Sequence, residues 1–209
     1  MEIYKTIAGR ATSEFTEKHS KFIGYAAHTS TEQEAIDFIN EIRTKHSDAR
    51  HNIYAYTIRD NNITRFSDDG EPHRTAGKPA LDIVNGYELK DVCVVVTRYF
   101  GGILLGSGGL VRAYSKAVKD ALDCAEKVLM VPGVLYKSKC TYNQYAKLES
   151  IITSFSGAIR ETVFEDNVVI EYSIDKECKE KFVASVSEAF SQTVVCEICG
   201  NIYTSKKIL

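Results

Sequence analysis

Five glycines fall within nine residues of the stretch Arg98-Tyr99-Phe100-Gly101-Gly102-Ile103-Leu104-Leu105-Gly106-Ser107-Gly108-Gly109-Leu110-Val111-Arg112. Residues without a Cβ permit positive φ angles and let another molecule approach bare backbone. A helix opening straight after such a turn adds unpaired N–H groups and the positive end of its dipole, the two ingredients of an anion site. Charge points the same way: from Val92 to Lys119 there are four basic residues and no acidic one, and Arg112, Lys116 and Lys119 share one helix face at i, i+4 and i+7. Arg112, close to the positive helix end, is unfavourable by roughly a few tenths of a kcal/mol unless an anion compensates. The candidate anion or RNA site is therefore Arg98, Gly101, Gly102, Gly106, Ser107, Gly108, Gly109, Arg112, Lys116 and Lys119. A tight strand-to-helix connection with a solvated basic face fits the same residues. Neither a Walker A loop nor a GxGxxG fingerprint matches the spacing.

The second cluster is Ser67-Asp68-Asp69-Gly70-Glu71-Pro72-His73-Arg74-Thr75-Ala76-Gly77-Lys78. Asp68, Asp69, Glu71 and His73 have the chemistry to hold a hard divalent cation or to act as acid and base. Their spacing is not that of an EF-hand, and a solvated or partner-contacting turn uses the same residue types. With Arg74 and Lys78 they are taken as a loop of the same cleft, and no metal is assigned. Cys196 and Cys199 are half of a zinc ribbon, and a period-2 strand sends their thiols to opposite faces. His51, ahead of an apolar strand, is a candidate pocket liner. Gly106-Ser107-Gly108 has no recognisable base nearby in sequence, so no catalytic residue and no cofactor is assigned.

These segments need elements to hold them. Val92 to Arg98 is nearly continuously apolar and β-branched, which predicts a strand buried on both faces. The helix after the glycines is expected from about Leu110 to Glu126. Upstream, strands are expected at Ser13 to Thr16 and Lys21 to Thr29, then a helix opened by the capping box Thr31-Glu32-Gln33-Glu34 and running through Lys45. Asn52 to Arg59 and Ile63 to Phe66 form a predicted hairpin, and Pro79 suits the first turn of a short helix ended by Gly86. Val131-Pro132-Gly133 is taken as the boundary between domains 1–133 and 134–209. The second domain reads as strand (Leu135 to Tyr142), helix (Asn143 to Ser156), two strands (Ala158 to Phe164, Val168 to Ile174), a helix capped by Asp175 and a last strand from Thr193 to Tyr203. That βαββαβ order is the ferredoxin-like motif, which serves many functions.

A composition of 44% hydrophobic and 26% charged residues in 209 excludes disordered, collagenous and membrane-spanning classes. A net charge of -2 argues against a protein that coats nucleic acid wholesale, so any anion site is local. Six cysteines in a chain this long are expected to be reduced thiols. With no secretory or lipid signal in the sequence, a cytoplasmic location is expected, without membrane attachment.

Arg65-Phe66-Ser67-Asp68-Asp69-Gly70-Glu71-Pro72, Thr75-Ala76-Gly77-Lys78-Pro79 and Val94 to Gly102, followed by Leu105 to Tyr114, resemble the YigZ/IMPACT family in its two-domain bacterial form, as does His51-Asn52-Ile53-Tyr54-Ala55-Tyr56. The resemblance implies an α+β protein, with an N-terminal domain of the ribosomal protein S5 domain 2-like fold and a C-terminal ferredoxin-like domain similar to the last domain of elongation factor G. It also implies a non-catalytic role in regulation of translation, with the ribosome, RNA or a translation-related protein as partner. The N-terminal superfamily includes sugar and mevalonate kinases, which raises a phosphate-binding or phosphoryl-transfer enzyme as the alternative. Where the bacterial pattern usually reads Glu-Pro-Ser-Gly-Thr, this chain has His73-Arg74. Val168 to Ile174 lacks the pattern of an RNA-recognition sheet, so RNA contact is expected from the N-terminal domain. If the two clusters leave the same sheet edge, Arg74, Lys78, Arg98 and Arg112 should gather around the glycines, with a carboxylate within ~4 Å of Arg98 or Arg112.

Overall fold

The computed structural model describes residues 1–208. It divides into two compact units, one formed by Tyr4–Leu129 with the chain from Lys207 on, the other by Met130–Lys206 with Met1–Ile3.

In the first unit, β1 (Tyr4–Ala8) precedes a five-stranded sheet. Its strands are β2 (Arg10–Glu17), β3 (Ser20–His28), β4 (His51–Ile58), β5 (Ile63–Ser67) and β6 (Val92–Tyr99), in the order β2-β3-β6-β4-β5. Every neighbouring pair in that order is antiparallel. The continuous apolar run of β6 has its reason in helices on both sides. Val92, Val94 and Val96 pack into one core with Val84 of α2 (Gly77–Gly86) and with Tyr114 and Val118 of α3 (Gly106–Cys124). Cys93 and Val95 face a second core with Phe38, Ile39 and Ile42 of α1 (Glu32–Lys45). Each such side chain taken from water contributes ~1.5–3 kcal/mol. Gly24 lets α3 lie directly on β3: a Cβ there would sit 2.4 Å from the Ala117 carbonyl oxygen.

Three expected boundaries move. Helix α3 begins at Gly106 rather than Leu110 and ends at Cys124. Glycine has a low helix propensity but is tolerated in a first turn whose far end is anchored by buried Leu110, Ala113 and Tyr114. Val131-Pro132-Gly133 lies inside a single strand, β7 (Glu126–Cys140). Pairing of β7 with β9 (Val168–Asp175) starts only at Gly133, opposite Asp175, so Pro132 removes no donor from that ladder.

In the second unit, the later part of β7 is followed by α4 (Tyr142–Ser154), β8 (Ala158–Phe164), β9, a 3-10 turn at Lys176–Cys178, α5 (Lys179–Ala189) and β10 (Glu197–Lys207). Strand β9 lies between β7 and β8, and β10 also pairs with β7. Tyr136, Leu148, Ile152, Tyr172 and Phe182 form the fully buried centre. The last strand starts four residues later than expected, at Glu197. Asp175 makes no side-chain cap; its carboxylate binds Lys206 at 2.6 Å and the hydroxyl of Thr204. No helix among the described residues is long and apolar enough to cross a membrane.

Candidate anion-binding cleft

Strand polarity brings the two chemically loaded segments together. Strand β4 is antiparallel to both β6 and β5, so β5 and β6 run the same way and the chains leaving Ser67 and Tyr99 emerge at one edge of the sheet. His51, the first residue of β4, pairs with Arg98 near the end of β6 and stands at that edge too. Between them lies a cleft of about 340 Å³ lined by Arg50, His51, residues 70–72, Arg98, Phe100, residues 104–107 and Leu110.

Its floor is a buried polar cluster. Arg98 Nη1 donates to Glu71 Oε1 at 2.6 Å, with only 6% and 4% of the two side chains exposed. The Tyr114 hydroxyl donates to the same oxygen at 2.7 Å, and His51 Nε2 stands 3.8 Å from it. Nδ1 of His51 donates to the Asp69 carbonyl at 2.7 Å, which leaves Nε2 facing Glu71. Burial, and next the charge of Glu71, push the Tyr114 phenol far above its ordinary range, so it stays a donor. Nη2 of Arg98 reaches Ser20 Oγ at 3.4 Å, and that oxygen also accepts the Gly101 N–H at 3.2 Å. The guanidinium lies over the rings of Phe22 and Phe100, and its Nε, buried, has no hydrogen-bond partner.

The expected carboxylate beside Arg98 is therefore Glu71, but the roles change. Arg98 is too enclosed to be a surface phosphate contact; paired with Glu71, it fastens the 70–72 loop to the end of β6. Asp68 and Asp69 also hold the loop. Asp68 accepts the N–H groups of Arg74 (2.8 Å), Ala76 (3.1 Å) and Gly77 (2.8 Å) at the start of α2. Asp69 accepts from Asn52 N at 2.6 Å and from Arg43 at 3.0 Å. With these partners the three carboxylates are not arranged around a shared vacancy, and the described residues hold no group of three or more potential metal ligands. Arg74 and Lys78 do not line the cleft: Lys78 pairs with Asp82, and Arg74 sits in the left-handed region of the turn at φ 59°.

The basic stripe on α3 also changes. Lys116 pairs with Asp120 and Lys119 with Asp123, the latter at 2.7 Å, because both aspartates follow one turn after the acid-free stretch. Arg112 forms no ion pair among the described residues and borders a smaller pocket beside Phe15, Glu17, Lys18 and Gly109. Of the glycines, Gly101 is a packing residue, since a Cβ there would lie 2.0 Å from the His19 backbone. Gly102 and Gly106 have φ of 85° and 72°, while Gly108 has open space around it. The cleft itself receives Gly106 and Ser107. Arg50 and Leu104 line it and Tyr114 joins the buried cluster beneath, three residues that spacing along the chain does not disclose. The antiparallel register of β4 and β6 places Arg50-His51 opposite Arg98, a relation visible only once that pairing is known.

Two family models match the chain, the Impact N-terminal domain over residues 18–122 and a domain of unknown function, DUF1949, over residues 139–193. This chain belongs to the IMPACT family. IMPACT family member YvyE of Bacillus subtilis is 39% identical over 177 residues, covering 83% of this chain and 80% of its own. IMPACT family member YigZ of Escherichia coli is 35% identical over 174 residues, covering 82% and 85%. A solved structure titled as the crystal structure of a hypothetical protein superposes with a TM-score of 0.62 at 32% identity, covering 94% of this chain and 97% of that one. Every residue of the cleft lies within the stretch matched by the Impact N-terminal domain.

Proposed function

We propose that this IMPACT family member is a non-catalytic, cytoplasmic regulator of translation that binds RNA, in the ribosome or free, through the cleft edge of its N-terminal unit. The units are read as an S5 domain 2-like fold followed by a ferredoxin-like domain similar to the last domain of elongation factor G. The observation that carries the reading is the surface around the start of α3. Exposed Arg50, Arg112 and Lys18 surround a helix end with no acidic residue in its first turn. Beside them Leu104 is 81% exposed. Cations supply phosphate attraction, helix N–H groups add to it, and apolar side chains suit unstacked bases. A translation-factor protein is the second reading, favoured by the run Phe100, Ile103 and Leu104, all exposed.

Fluorescence anisotropy with a structured RNA, repeated from 50 to 300 mM salt, separates the two. RNA binding should weaken as salt rises, and Arg50→Glu with Arg112→Glu should flatten the log–log slope by about 1.5, at ~0.7–0.9 per lost phosphate contact. An affinity indifferent to the double substitution removes this surface as the RNA site. No binding to RNA or ribosomes at the lowest salt removes the RNA reading and leaves the protein partner.

A further inference from the structure

We propose that the cleft between the Glu71 loop and the start of α3 is a base pocket that takes one unstacked guanine, carried either by the bound RNA or by a free guanine nucleotide. The proposal rests on the RNA reading of the same edge and deepens it.

Two accessible acceptors carry it. Both hydrogen bonds to the Glu71 carboxylate, from Arg98 Nη1 and from the Tyr114 hydroxyl, end on Oε1. Oε2 accepts nothing from the described residues. It is also open: the unpartnered side-chain atoms closed off from solvent are Thr29 Oγ1, Arg98 Nε and the Tyr136 hydroxyl, and Oε2 is not among them. Glu71 is 9% exposed and lines the cleft, so the free oxygen of a nearly buried carboxylate meets that space. His51 lines the cleft as well. Its Nδ1 is spent on the Asp69 carbonyl, so the neutral ring presents Nε2, 3.8 Å from Glu71 Oε1, as an acceptor without a hydrogen-bond partner. Polar groups this enclosed are nearly always paired, so two acceptors in one small cleft mark a place for a group with two adjacent donors.

Charge and shape select the group. Arg98 neutralises Glu71, and Arg50, its guanidinium over the Phe100 ring, adds a positive charge at the mouth, so an ammonium or a guanidinium is repelled. A neutral donor pair remains. Of the RNA bases, only guanine sets two donors side by side on its Watson–Crick edge, N1–H and the N2 amino group. Adenine and cytosine place an acceptor next to their amino group, and uracil has one N–H between two carbonyls. Guanine O6, beside N1, is an acceptor, and the first helical turn of α3 lines the cleft at Gly106 and Ser107 with N–H groups that have no intrahelical partner. Pro72, Leu105 and Leu110 add apolar wall. A volume of about 340 Å³ is at the low end of small-ligand sites, which span ~300–1,000 Å³; it admits a base and leaves sugar and phosphates outside, where Arg50, Arg112 and Lys18 are exposed.

The test uses the full chain with a short oligouridylate whose central residue is guanosine, inosine or adenosine, and with GMP as the free probe. Guanosine at the centre should tighten binding about tenfold over adenosine. Inosine, which lacks only the N2 amino group, should lose most of that gain, because a site built around a donor rejects the analogue without it. In Glu71→Gln the amide oxygen stays with Arg98 and Tyr114 and an NH₂ group replaces Oε2, so the guanosine preference should vanish while the protein still melts cooperatively. GMP binding with no binding of any oligonucleotide supports the pocket, assigns it to free guanine nucleotides and rejects the RNA reading alone. Oligonucleotide binding indifferent to the central base, with no GMP response, overturns the pocket and leaves the RNA reading standing. A guanosine preference that inosine reproduces in full, or one that survives Glu71→Gln, also overturns it.

Discussion

Glu71 and Arg98 hold each other in a place where neither could remain alone. A buried ion pair adds little over an apolar pair of the same shape, because desolvation offsets the attraction, but removing one partner leaves a buried charge uncompensated. Glu71→Ala strands the Arg98 guanidinium and deprives the Tyr114 hydroxyl of its acceptor. It should therefore cost about 3–5 kcal/mol, measured as a lower urea midpoint with an unchanged slope. Glu71→Gln keeps the Tyr114 bond and the shape and should cost less. Equal stability of Glu71→Ala and the parent would show that the pair is not buried in solution. Sign counting along the sequence registered Glu71 as one of three loop carboxylates and Arg98 as one of four loop and helix cations. Their burial depends on Ser20 and Phe22 of β3 and on Tyr114 of α3, which arrive from two other places in the chain, and no local pattern announces that.

Elements were legible where periodicity was strong. The β6 run, the Thr31 start of α1 and the βαββαβ order could be read because each needs only its own residues. Strand β1, Tyr4–Ala8, was missed because YKTIA is too short for alternation to stand out, and the start of α3 was missed because glycines argue against a helix. The glycines differ in what they do. At Gly24 a methyl group would meet the Ala117 carbonyl at 2.4 Å, whereas at Gly108, with ordinary φ, it would meet nothing within 4 Å. Paired thermal melts of Gly24→Ala and Gly108→Ala should thus move in opposite directions. Overpacking at Gly24 should cost roughly 1–3 kcal/mol, and the lost backbone entropy of Gly108 should be recovered as about 0.5–1 kcal/mol of added stability. Destabilisation by Gly108→Ala would mean that this first turn is not helical in solution.

At the scale of the whole molecule, a net charge of -2 and a local group of cations are compatible because acids such as Glu71, Asp82, Asp120 and Asp123 are held in ion pairs, although Glu17 lines the pocket beside Arg112. The division of apolar residues is equally clear. The two cores of the first unit draw on residues from Ile7 to Ala125, that of the second on Val134 to Val194, and no residue is shared. A fragment spanning 130–206 keeps the part of β7 that pairs with β9, both helices of its unit and β10 as far as Lys206. It should unfold in urea as one cooperative transition, with a stability of roughly 4 kcal/mol or more for a chain of this length. None of the cleft residues is in it, and its Val168 to Ile174 strand carries no stacking pattern for bases, so it should not bind the structured RNA. A broad, non-cooperative melt would show that the Tyr136, Tyr172 and Phe182 core needs the rest of the chain. A folded fragment that binds that RNA as tightly as the full chain would move the RNA site out of the N-terminal unit, whatever the geometry around α3.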